Sequence, residues 1–342
     1  MRPIVVWGAG AIGGVIGAYL IRAGIAVVFV DRDEAHVAAM NRDGFRIEGP
    51  IDNFVVPAKA FTPDNLSGVF EQIFLCVKAH HTDGAARQIA PHLAPGGYVA
   101  SFQNGLNELV IADILGKART IGAFINFGAD YLSPGLVNFS GRGAFVLGEL
   151  DGSITPRIDK LHALAKLCES GAIVTDNILG YLWGKLGYGA LLFATALTNA
   201  SICDSLAARE PRPVLRRLAN EAVRVAQALS VKPLGFNGYD PAAFATGAPM
   251  AASDASFDAM VAHNARSAKT HSGIWRDLAV RHRVTEVDAQ LGPIVRFGDE
   301  SGVPTPTTGE LVAMIHEIET GALPLQWSNL ADLERRASGD RS

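Results

Sequence analysis

Residues 4–13 of this chain read Ile4-Val5-Val6-Trp7-Gly8-Ala9-Gly10-Ala11-Ile12-Gly13, and this stretch decides the fold. It joins an apolar run of strand character to a G-x-G-x-x-G turn, and a stretch with helical spacing follows as far as Gly24. A second apolar run, 27–30, stands directly before Asp31-Arg32. This order of strand, glycine turn, helix, strand and acid is the one that a dinucleotide-binding βαβ unit requires.

Each residue of the turn has a physical task in this interpretation. Gly8 allows a tight turn, Gly10 lets a pyrophosphate approach the backbone, and Gly13 lets helix and strand pack closely. Ala11 and Ile12 open the helix, whose free N–H groups and partial positive charge face the phosphates. We therefore predict that these five residues bind the cofactor. A signal peptide or membrane helix over 4–20 is disfavoured, because five glycines interrupt it and a second strand follows.

The composition excludes several classes of protein. The 342 residues suffice for two domains, and a net charge of −4 with 19% charged residues leaves no basic field for nucleic acid. No later apolar run is long enough for a membrane span. Cys76, Cys168 and Cys203 form no C-x-x-C pair, and this sparse use of cysteine predicts a reducing, cytoplasmic setting. The nine histidines show no ligand spacing, so we predict no metal site.

The first half of the chain alternates strand and helix signals. This predicts an α/β fold with an N-terminal Rossmann-type, doubly wound and mostly parallel sheet. A helix is expected over 83–93, and Leu132-Ser133-Pro134-Gly135 is typical of a turn between two strands of an antiparallel extension. The predicted strands are 4–7, 26–30, 45–48, 72–77, 97–101, 120–126, 136–140 and 144–148.

Strand signals end near Asn177, and the remainder predicts an all-helical C-terminal domain. The segment 180–200 is apolar nearly all round, as expected of a buried central helix. We divide the chain into a Rossmann domain (1–178), a helical substrate and catalytic domain (179–330), and a charged, frayed tail (331–342). A homodimer through the apolar helical domain stays open. Further helices are predicted over 215–229, 256–269, 287–302 and 308–320.

Polar residues follow three strands at the edge where such sheets bind ligands. Asp31 can accept hydrogen bonds from the ribose hydroxyls of NAD, whereas Arg32 beside it can hold the 2′-phosphate of NADP, so the cofactor choice stays open. Lys78 follows the run 74–77 and can meet a phosphate or ribose, although it can equally be a surface lysine. Asn104 can hold a carbonyl oxygen near the nicotinamide, although Asn-Gly is also an ordinary turn.

Lys185 is the strongest candidate for acid–base chemistry, because it lies in the most apolar helical segment. Burial disfavours an ammonium, so we expect its pKa to fall from about 10.4 towards neutrality. A lysine that snorkels from the end of a buried helix is the alternative. Glu286 and Asp288 open a later helix about 200° apart, so they cannot share a face, and either can serve simply as a first-turn acid.

Six motifs, in their order and spacing, resemble the ketopantoate reductase (2-dehydropantoate 2-reductase) family over nearly the whole chain. They are residues 8–14, Val77-Lys78-Ala79, Gln103-Asn104-Gly105-Leu106, Asn177-Ile178 with Trp183-Gly184-Lys185-Leu186, Arg283-Val284-Thr285-Glu286-Val287-Asp288, and Gly302-Val303-Pro304-Thr305-Pro306. The resemblance implies a nicotinamide-dependent reductase of 2-oxo acids that acts in pantothenate biosynthesis, with its site between the two domains.

The resemblance also implies roles for single residues. Lys185 matches the family's general acid, and Glu286 matches the glutamate that binds substrate and stabilises the charge of the lysine. Asn104 matches the asparagine that positions cofactor and lysine. Arg32 and Lys78 match the residues that contact the phosphate end of NADPH. Lys185, Glu286 and Asn104 are therefore the expected catalytic residues.

The chain departs from the family at its substrate-binding positions. Family members commonly carry asparagines four and eight residues after the lysine, where this chain has Gly189 and Phe193. A serine expected before the acidic helix aligns with Gly273, one residue after Ser272. The loss of these carboxamides removes hydrogen bonds that ketopantoate needs, so the sequence defines the reaction class better than the substrate.

We predict a reductase of a small 2-oxo acid that uses NADP(H) or NAD(H), and the direction of the reaction in the cell stays open. Lys185, Gly189, Ser272 and Glu286 are the predicted substrate-binding residues. Three alternatives stay open. They are a dehydrogenase of the same family with another hydroxy acid or alcohol as substrate, an enzyme of the 6-phosphogluconate type, and a non-catalytic NAD(P) sensor.

Overall fold

The computed structural model describes residues 2–266 and 270–339, and the chain divides into two units between Ile178 and Leu179. The first unit contains two sheets and the helices that cover them. Its strands are β1 Ile4–Trp7, β2 Val27–Val30, β3 Phe45–Glu48, β4 Phe54–Val56, β5 Ala60–Phe61, β6 Phe70–Leu75, β7 Leu93–Ser101, β8 Thr120–Ile125, β9 Gly128–Ser133, β10 Leu136–Gly141, β11 Phe145–Glu149 and β12 Ile173–Val174. Its helices are α1 Ala11–Arg22, α2 Glu34–Asp43, α3 Thr82–Ile89, α4 Asn107–Leu115 and α5 Pro156–Cys168.

The larger sheet confirms the predicted Rossmann-type architecture. Its strand order is β12-β11-β8-β7-β6-β1-β2-β5, and every neighbouring pair is parallel except β8 and β11. The order reverses at β1, because β2 continues on one side and β6 on the other. Doubly wound sheets bind ligands outside the carboxyl ends of the strands at such a reversal. The segments that follow β1, β2 and β6 therefore form the edge of interest.

A second sheet, with the order β4-β3-β10-β9, corrects the prediction of a single sheet. Strands β3 and β10, expected in the main sheet, are instead paired with each other in this one. The reason lies in α1. A Cβ on Gly14 would come within 2.3 Å of the Phe45 ring, and a Cβ on Gly17 would come within 2.3 Å of the Phe29 ring. These glycines let α1 pack closely between β3 of the second sheet and β2 of the main sheet.

The predicted hairpin is present, because β9 and β10 are antiparallel and are joined at Pro134 and Gly135. The sequence missed β9 and the short strands β4, β5 and β12, which have three, two and two residues. Runs of two or three residues carry too little periodicity to be recognised. The helix expected over 83–93 ends at Ile89, because Leu93 already belongs to β7.

The second unit is helical. Its helices are α6 Ile178–Thr195, α7 Ile202–Ala207, α8 Arg212–Ala228, α9 Met250–Asn264, α10 Gly273–Trp275, α11 Val287–Gln290, α12 Gly292–Ser301, α13 Pro306–Glu319 and α14 Asn329–Ala337. Among its described residues, β pairing is limited to one bridge between Phe236 and Tyr239. The predicted helix 256–269 falls in α9 as far as Asn264, and Lys269 lies outside the described residues. The predicted helix 287–302 is divided into α11 and α12, and Pro293 stands in the first turn of the second.

Helix α6 is the buried central helix that the sequence predicted. Leu182, Leu186 and Leu191 of this helix are buried. The helix is 18 residues long. Across residues 2–266 and 270–339, however, no helix combines the length and the hydropathy that a membrane crossing requires.

The prediction of a frayed tail from residue 331 is wrong as far as Ala337, because α14 continues to that residue. Leu330 and Leu333 are buried one turn apart on this helix. The side chain of Asn329, also buried, donates to two backbone carbonyls. The segment is therefore an amphipathic helix. Its apolar stripe is narrow, and its many charged residues suggested a frayed tail instead.

Candidate functional site

The glycine turn joins β1 to α1, and its three glycines have different surroundings. Gly8 has a φ of +97°, and a Cβ there would come within 2.7 Å of the Val77 backbone nitrogen. A Cβ on Gly13 would lie 2.0 Å from the Gly8 carbonyl oxygen. At Gly10, by contrast, nothing lies within 4 Å of the Cβ position. The turn is packed tightly at both ends and open at its centre, as a backbone that receives a pyrophosphate must be.

The N-terminus of α1 opens onto the same turn. Ala11 and Ile12 are its first two residues, and both are half-buried. The first intrahelical bond runs from the Gly14 N–H to the Gly10 carbonyl at 2.8 Å. The N–H groups that precede Gly14 have no acceptor within the helix, and this arrangement is a common anion site.

Two side chains hold the backbone of Ala9, between the first two glycines. Asp31 accepts the Ala9 N–H through Oδ2 at 2.8 Å and the Asp33 N–H through Oδ1 at 3.0 Å. The Ala9 carbonyl oxygen is 2.9 Å from His36 Nε2. Asp31, which the sequence offered as one possible ribose acceptor, thus accepts one backbone N–H on each carboxylate oxygen.

Positive side chains gather beside the turn. Arg32 and Lys78 are exposed after β2 and β6, at the carboxyl edge of the main sheet. The pKa of His81 is lowered from its ordinary value of 6.5 by burial and by the charges of His80 and Arg32. Arg32 therefore lies within electrostatic range of the turn that follows Lys78. Such a concentration of positive charge suits an anionic ligand.

Asn104 is exposed just after β7, and a chain of polar groups fixes its backbone. Gln103 Nε2 donates to the Val77 carbonyl and to Thr82 Oγ1, both at 2.8 Å. Thr82 in turn donates to Asn107 Oδ1 at 3.0 Å, and Asn107 Nδ2 donates to the Asn104 carbonyl at 2.5 Å. Both Thr82 and Asn107 are buried. The chain links the position of Asn104 to the segment that follows β6.

The second unit carries the other predicted catalytic residues. Lys185, half-buried, and Gly189, buried, lie one turn apart on α6 and share a face of it. Glu286 immediately precedes α11, and its carbonyl accepts the Gln290 N–H at 2.9 Å. The Gln290 side-chain oxygen lies 3.8 Å from the position that a Cβ on Gly189 would occupy. The turn from Glu286 to Gln290 therefore reaches α6 one turn beyond Lys185.

A histidine of α13 contacts the turn from Glu286 to Gln290. His316 Nδ1 is 2.8 Å from Glu319 Oε2, and His316 Nε2 is 3.0 Å from Asp288 Oδ1. The hydrogen bond to Glu319 is the main cause that raises the pKa of His316, and the bond to Asp288 adds to it. Glu319 Oε1 also accepts the N–H and the hydroxyl of Thr285, each at 2.7 Å. Residues on both sides of Glu286 are thus held in place.

The remaining predicted substrate positions have structural roles of their own. Ser272 is buried, and its Oγ accepts the Trp275 N–H at 3.1 Å, so it caps α10. Gly273 is the first residue of α10, and nothing lies within 4 Å of its Cβ position. Phe193 is fully buried on α6. That aromatic ring therefore belongs to the core of the helical unit.

Sequence reasoning missed several residues of these clusters, namely His36, Thr82, Asn107, Gln290 and His316. Most of them carry no local signal, because tertiary contacts alone give them their partners. Gln290 is the exception, since it stands four residues after Glu286 and hence on the same helical face. Over the described parts of the chain, no three His, Cys, Asp or Glu side chains converge as a metal site requires.

The chain matches two family models over most of its length. Residues 4–152 match the model for ketopantoate reductase PanE/ApbA, and residues 177–319 match the model for its C-terminal part. A 2-dehydropantoate 2-reductase of Mesorhizobium japonicum is 26% identical over 339 residues, which cover 92% of this chain and 97% of that protein.

Solved structures give the same result. A PanE/ApbA family ketopantoate reductase from Ralstonia eutropha JMP134 has a TM-score of 0.77 and 28% identity, and the match covers 93% of this chain and 99% of that one. D-mandelate dehydrogenase, solved with NADH and anilino(oxo)acetate, has a TM-score of 0.79 with the same coverage, and at 20% identity this likeness is one of fold alone. The chain therefore belongs to the ketopantoate reductase family of NAD(P)-dependent oxidoreductases.

Proposed function

We propose that this protein reduces the 2-oxo group of a small carboxylic acid to a hydroxyl, with NADPH as the hydride donor and Lys185 as the general acid. Membership of the family supports the reaction class. One observation carries the assignment to these residues: Gln290 approaches the Cβ position of Gly189 to 3.8 Å. This approach brings the turn that starts at Glu286 to the face of α6 that bears Lys185.

Lys185 supplies the proton that the reduction needs. A bound nicotinamide cofactor supplies the hydride to the carbonyl carbon, and the carbonyl oxygen then requires one proton to become a hydroxyl. The half-buried ammonium of Lys185 delivers that proton away from bulk water. General acid catalysis of this kind typically contributes about a hundred- to ten-thousandfold to the rate.

Glu286 orients the ammonium of Lys185 and accepts a hydrogen bond from the hydroxyl that the reduction creates. Its neighbours restrain it, because Thr285 is bonded to Glu319 and Asp288 is bonded to His316. A carboxylate restrained in this way makes strong charge-assisted hydrogen bonds with defined geometry. The proposed roles of Lys185 and Glu286 thus depend on one turn of α6 and the start of α11.

Asn104 positions the nicotinamide end of the cofactor. Its side chain is exposed at the carboxyl edge of the main sheet, where doubly wound folds receive ligands. The chain of hydrogen bonds from Gln103 to Asn107 fixes the backbone from which this side chain extends. A preorganised carboxamide loses little entropy on binding.

The assignment of NADPH as the cofactor rests on the hydrogen bonds of Asp31 and on the charge of Arg32 beside it. Each carboxylate oxygen of Asp31 accepts one backbone N–H group, so part of its acceptor capacity is used within the protein. Arg32 is exposed, and its charge reaches the turn of His81 that follows Lys78. A 2′-phosphate matches such a surface, whereas a 2′-hydroxyl gains little from it. Gly8, Gly10, Ala11, Ile12 and Gly13 then receive the pyrophosphate.

The substrate is a 2-oxo acid that Gln290 contacts from α11. Gly189 leaves room on α6 where relatives commonly carry an asparagine, and Gln290 places a carboxamide next to that room. The Ser272 hydroxyl accepts the Trp275 N–H and keeps its own O–H to donate to a substrate carboxylate. The pocket therefore differs in shape from one built around an asparagine at position 189.

The test is oxidation of NADPH and of NADH, followed by nicotinamide absorbance, across 2-oxo acids of increasing side-chain size, ketopantoate and aryl acids included. We expect turnover of at least one 2-oxo acid, with kcat/KM about tenfold higher for NADPH than for NADH. Arg32→Ala should remove that preference and leave the NADH rate nearly unchanged. The absence of turnover with every acid and both cofactors would contradict the proposed function.

A further inference from the structure

A buried histidine joins the glycine turn to the second sheet. His36 on α2 is 1% exposed. Its Nε2 is 2.9 Å from the Ala9 carbonyl oxygen, and its Nδ1 is 2.8 Å from the backbone nitrogen of Gly135. Gly135 lies in the turn between β9 and β10. One imidazole thus spans the space between the turn after β1 and the hairpin of the other sheet.

These two contacts define the protonation state of the ring. The Gly135 N–H can only donate, so Nδ1 of His36 accepts and carries no proton. The Ala9 carbonyl can only accept, so Nε2 carries the proton and donates it. His36 is therefore a neutral imidazole in its Nε2–H form, with each ring nitrogen matched to one backbone group.

Aromatic side chains of the second sheet enclose the imidazole. The Phe45 and Tyr131 rings lie edge-on to His36, with centroids at 5.8 and 5.1 Å. Tyr131 Oη is 3.5 Å from Asp33 Oδ2, and burial together with the charges of Asp33 and Asp31 raises the pKa of Tyr131 to about 12. The hairpin therefore packs beside the acids that follow β2.

Ala9 is held at both of its backbone polar groups. Its N–H donates to Asp31, and its carbonyl accepts from His36. A glycine stands on each side of Ala9, and glycines give a free chain many alternative conformations. Gly10 follows immediately, and its Cβ position faces open space. The two hydrogen bonds thus restrict the part of the turn that lines this opening.

We propose that His36 is a positioning residue for the dinucleotide cofactor, because its Nε2–H holds the Ala9 carbonyl and thereby preorganises the centre of the glycine turn. A turn fixed before binding loses less conformational entropy when the pyrophosphate arrives. The inference rests on cofactor binding at this turn, and it does not depend on the substrate or on the role of Lys185.

The test compares the dissociation constants of NADPH and NADH for four proteins by fluorescence titration. These are the wild type, His36→Ala, His36→Gln and His162→Ala. Glutamine is the rescue variant, because its amide nitrogen can donate to Ala9 while its oxygen accepts from Gly135. His162 on α5 is the matched control, a half-buried histidine of the same unit whose Nε2 is 2.7 Å from the Ala172 carbonyl oxygen, which is not part of the glycine turn.

We expect His36→Ala to weaken both cofactors about tenfold or more, and His36→Gln and His162→Ala to stay within about threefold of the wild type. Equal affinity of His36→Ala and wild type would overturn this inference alone. An equal loss in the alanine and glutamine variants would also overturn it, because the two hydrogen bonds would then not be the cause. Wild-type protein that binds neither cofactor would overturn the cofactor assignment and this inference together.

The ring itself gives a second measurement, which holds even if His36→Ala does not fold. Long-range nitrogen–proton NMR correlations of the wild-type protein distinguish the two neutral forms of histidine and the imidazolium. We expect His36 to show the neutral Nε2–H form. An Nδ1–H form or an imidazolium at neutral pH would remove the hydrogen bonds on which the inference depends.

Discussion

Gln290 Oε1 lies 3.8 Å from the position that a Cβ on Gly189 would occupy, so a side chain absent from α6 is replaced by one from α11. Ketopantoate reductases commonly carry an asparagine where this chain has Gly189. We propose that Gln290 supplies from α11 the carboxamide that those proteins carry on α6. A substrate that hydrogen-bonds to it must approach from a different direction.

A double variant that places a carboxamide on α6 and removes the one on α11 tests this proposal. Gly189→Asn combined with Gln290→Ala should return the carboxamide to α6 and raise the ratio of kcat/KM for ketopantoate to that for the best natural 2-oxo acid about tenfold. Gly189→Asn alone should lower activity on both substrates, because the new side chain crowds Gln290. Gln227→Ala, an exposed glutamine on α8, is the control. An unchanged ratio in the double variant would remove Gln290 from substrate recognition.

Lys185→Ala should lower kcat by about a hundred- to ten-thousandfold, because the carbonyl oxygen loses its proton donor. The dissociation constant of NADPH should change little, and added small primary amines should restore part of the rate. Lys166→Ala, an exposed lysine on α5, serves as the control and should behave like the wild type. A variant with the kcat of the wild type would exclude Lys185 from the proton transfer.

Alanine substitution should mainly weaken cofactor binding at Gly10 and mainly lower stability at Gly13. Gly10→Ala should fold with a nearly unchanged Tm, because nothing lies within 4 Å of the new Cβ, yet it should bind NADPH more weakly because the methyl group enters the open centre. Gly13→Ala should be destabilised by about 3 kcal/mol or more, because its Cβ would lie 2.0 Å from the Gly8 carbonyl oxygen. Thermal unfolding and NADPH titration separate the two effects. A large loss of stability in Gly10→Ala would contradict the open centre.

Thr82→Val should disturb Asn104 from a distance. Thr82 accepts from Gln103 and donates to Asn107, so valine leaves a buried donor and a buried acceptor without this partner. We expect a loss of about 1–3 kcal/mol in the free energy of unfolding. We also expect a lower kcat, because Asn107 no longer holds the Asn104 backbone. Thr82→Ser, which keeps the hydroxyl, should recover most of the lost free energy of unfolding and most of the lost kcat. An inactive Thr82→Ser would argue against the hydrogen bonds as the cause.

His316 should make stability depend on pH. Its pKa is raised in the folded protein, so its contribution is complete below the ordinary value of 6.5 and is lost as the pH rises through the raised value. The charged ring donates to both Glu319 and Asp288, whereas the neutral ring can donate to only one of them. The side chain is 40% exposed, so we expect an effect below about 1 kcal/mol.

The measurement is the difference in Tm between wild type and His316→Gln as a function of pH. This difference should be largest just below pH 6.5 and should shrink at higher pH. A difference that grows with pH would have the wrong sign and would contradict the ion pairs. His263→Gln, on the exposed end of α9, is the control for the substitution itself.

Much of the fold could be read from residues 4–31, because consecutive residues there spell out a strand, a turn, a helix and a second strand. The second sheet could not be predicted, since its paired strands β3 and β10 lie far apart in the chain. Gly14 and Gly17 let α1 pack closely between the two sheets, and no local pattern indicates that packing. The C-terminal helix α14 was missed for a related reason. Its stripe of Leu330 and Leu333 is too narrow to stand out among charges.

The sequence by itself determined the glycine turn and the two-part organisation, because local periodicity resides in neighbouring residues. The family resemblance of its ordered motifs indicated Lys185, Glu286 and Asn104 as candidates. Only the tertiary structure decided that His36 meets Ala9 and Gly135, which are 27 and 99 residues away. It alone placed Gln290 against Gly189 as well. Contacts over such distances depend on how helices and sheets pack, and no local pattern encodes them.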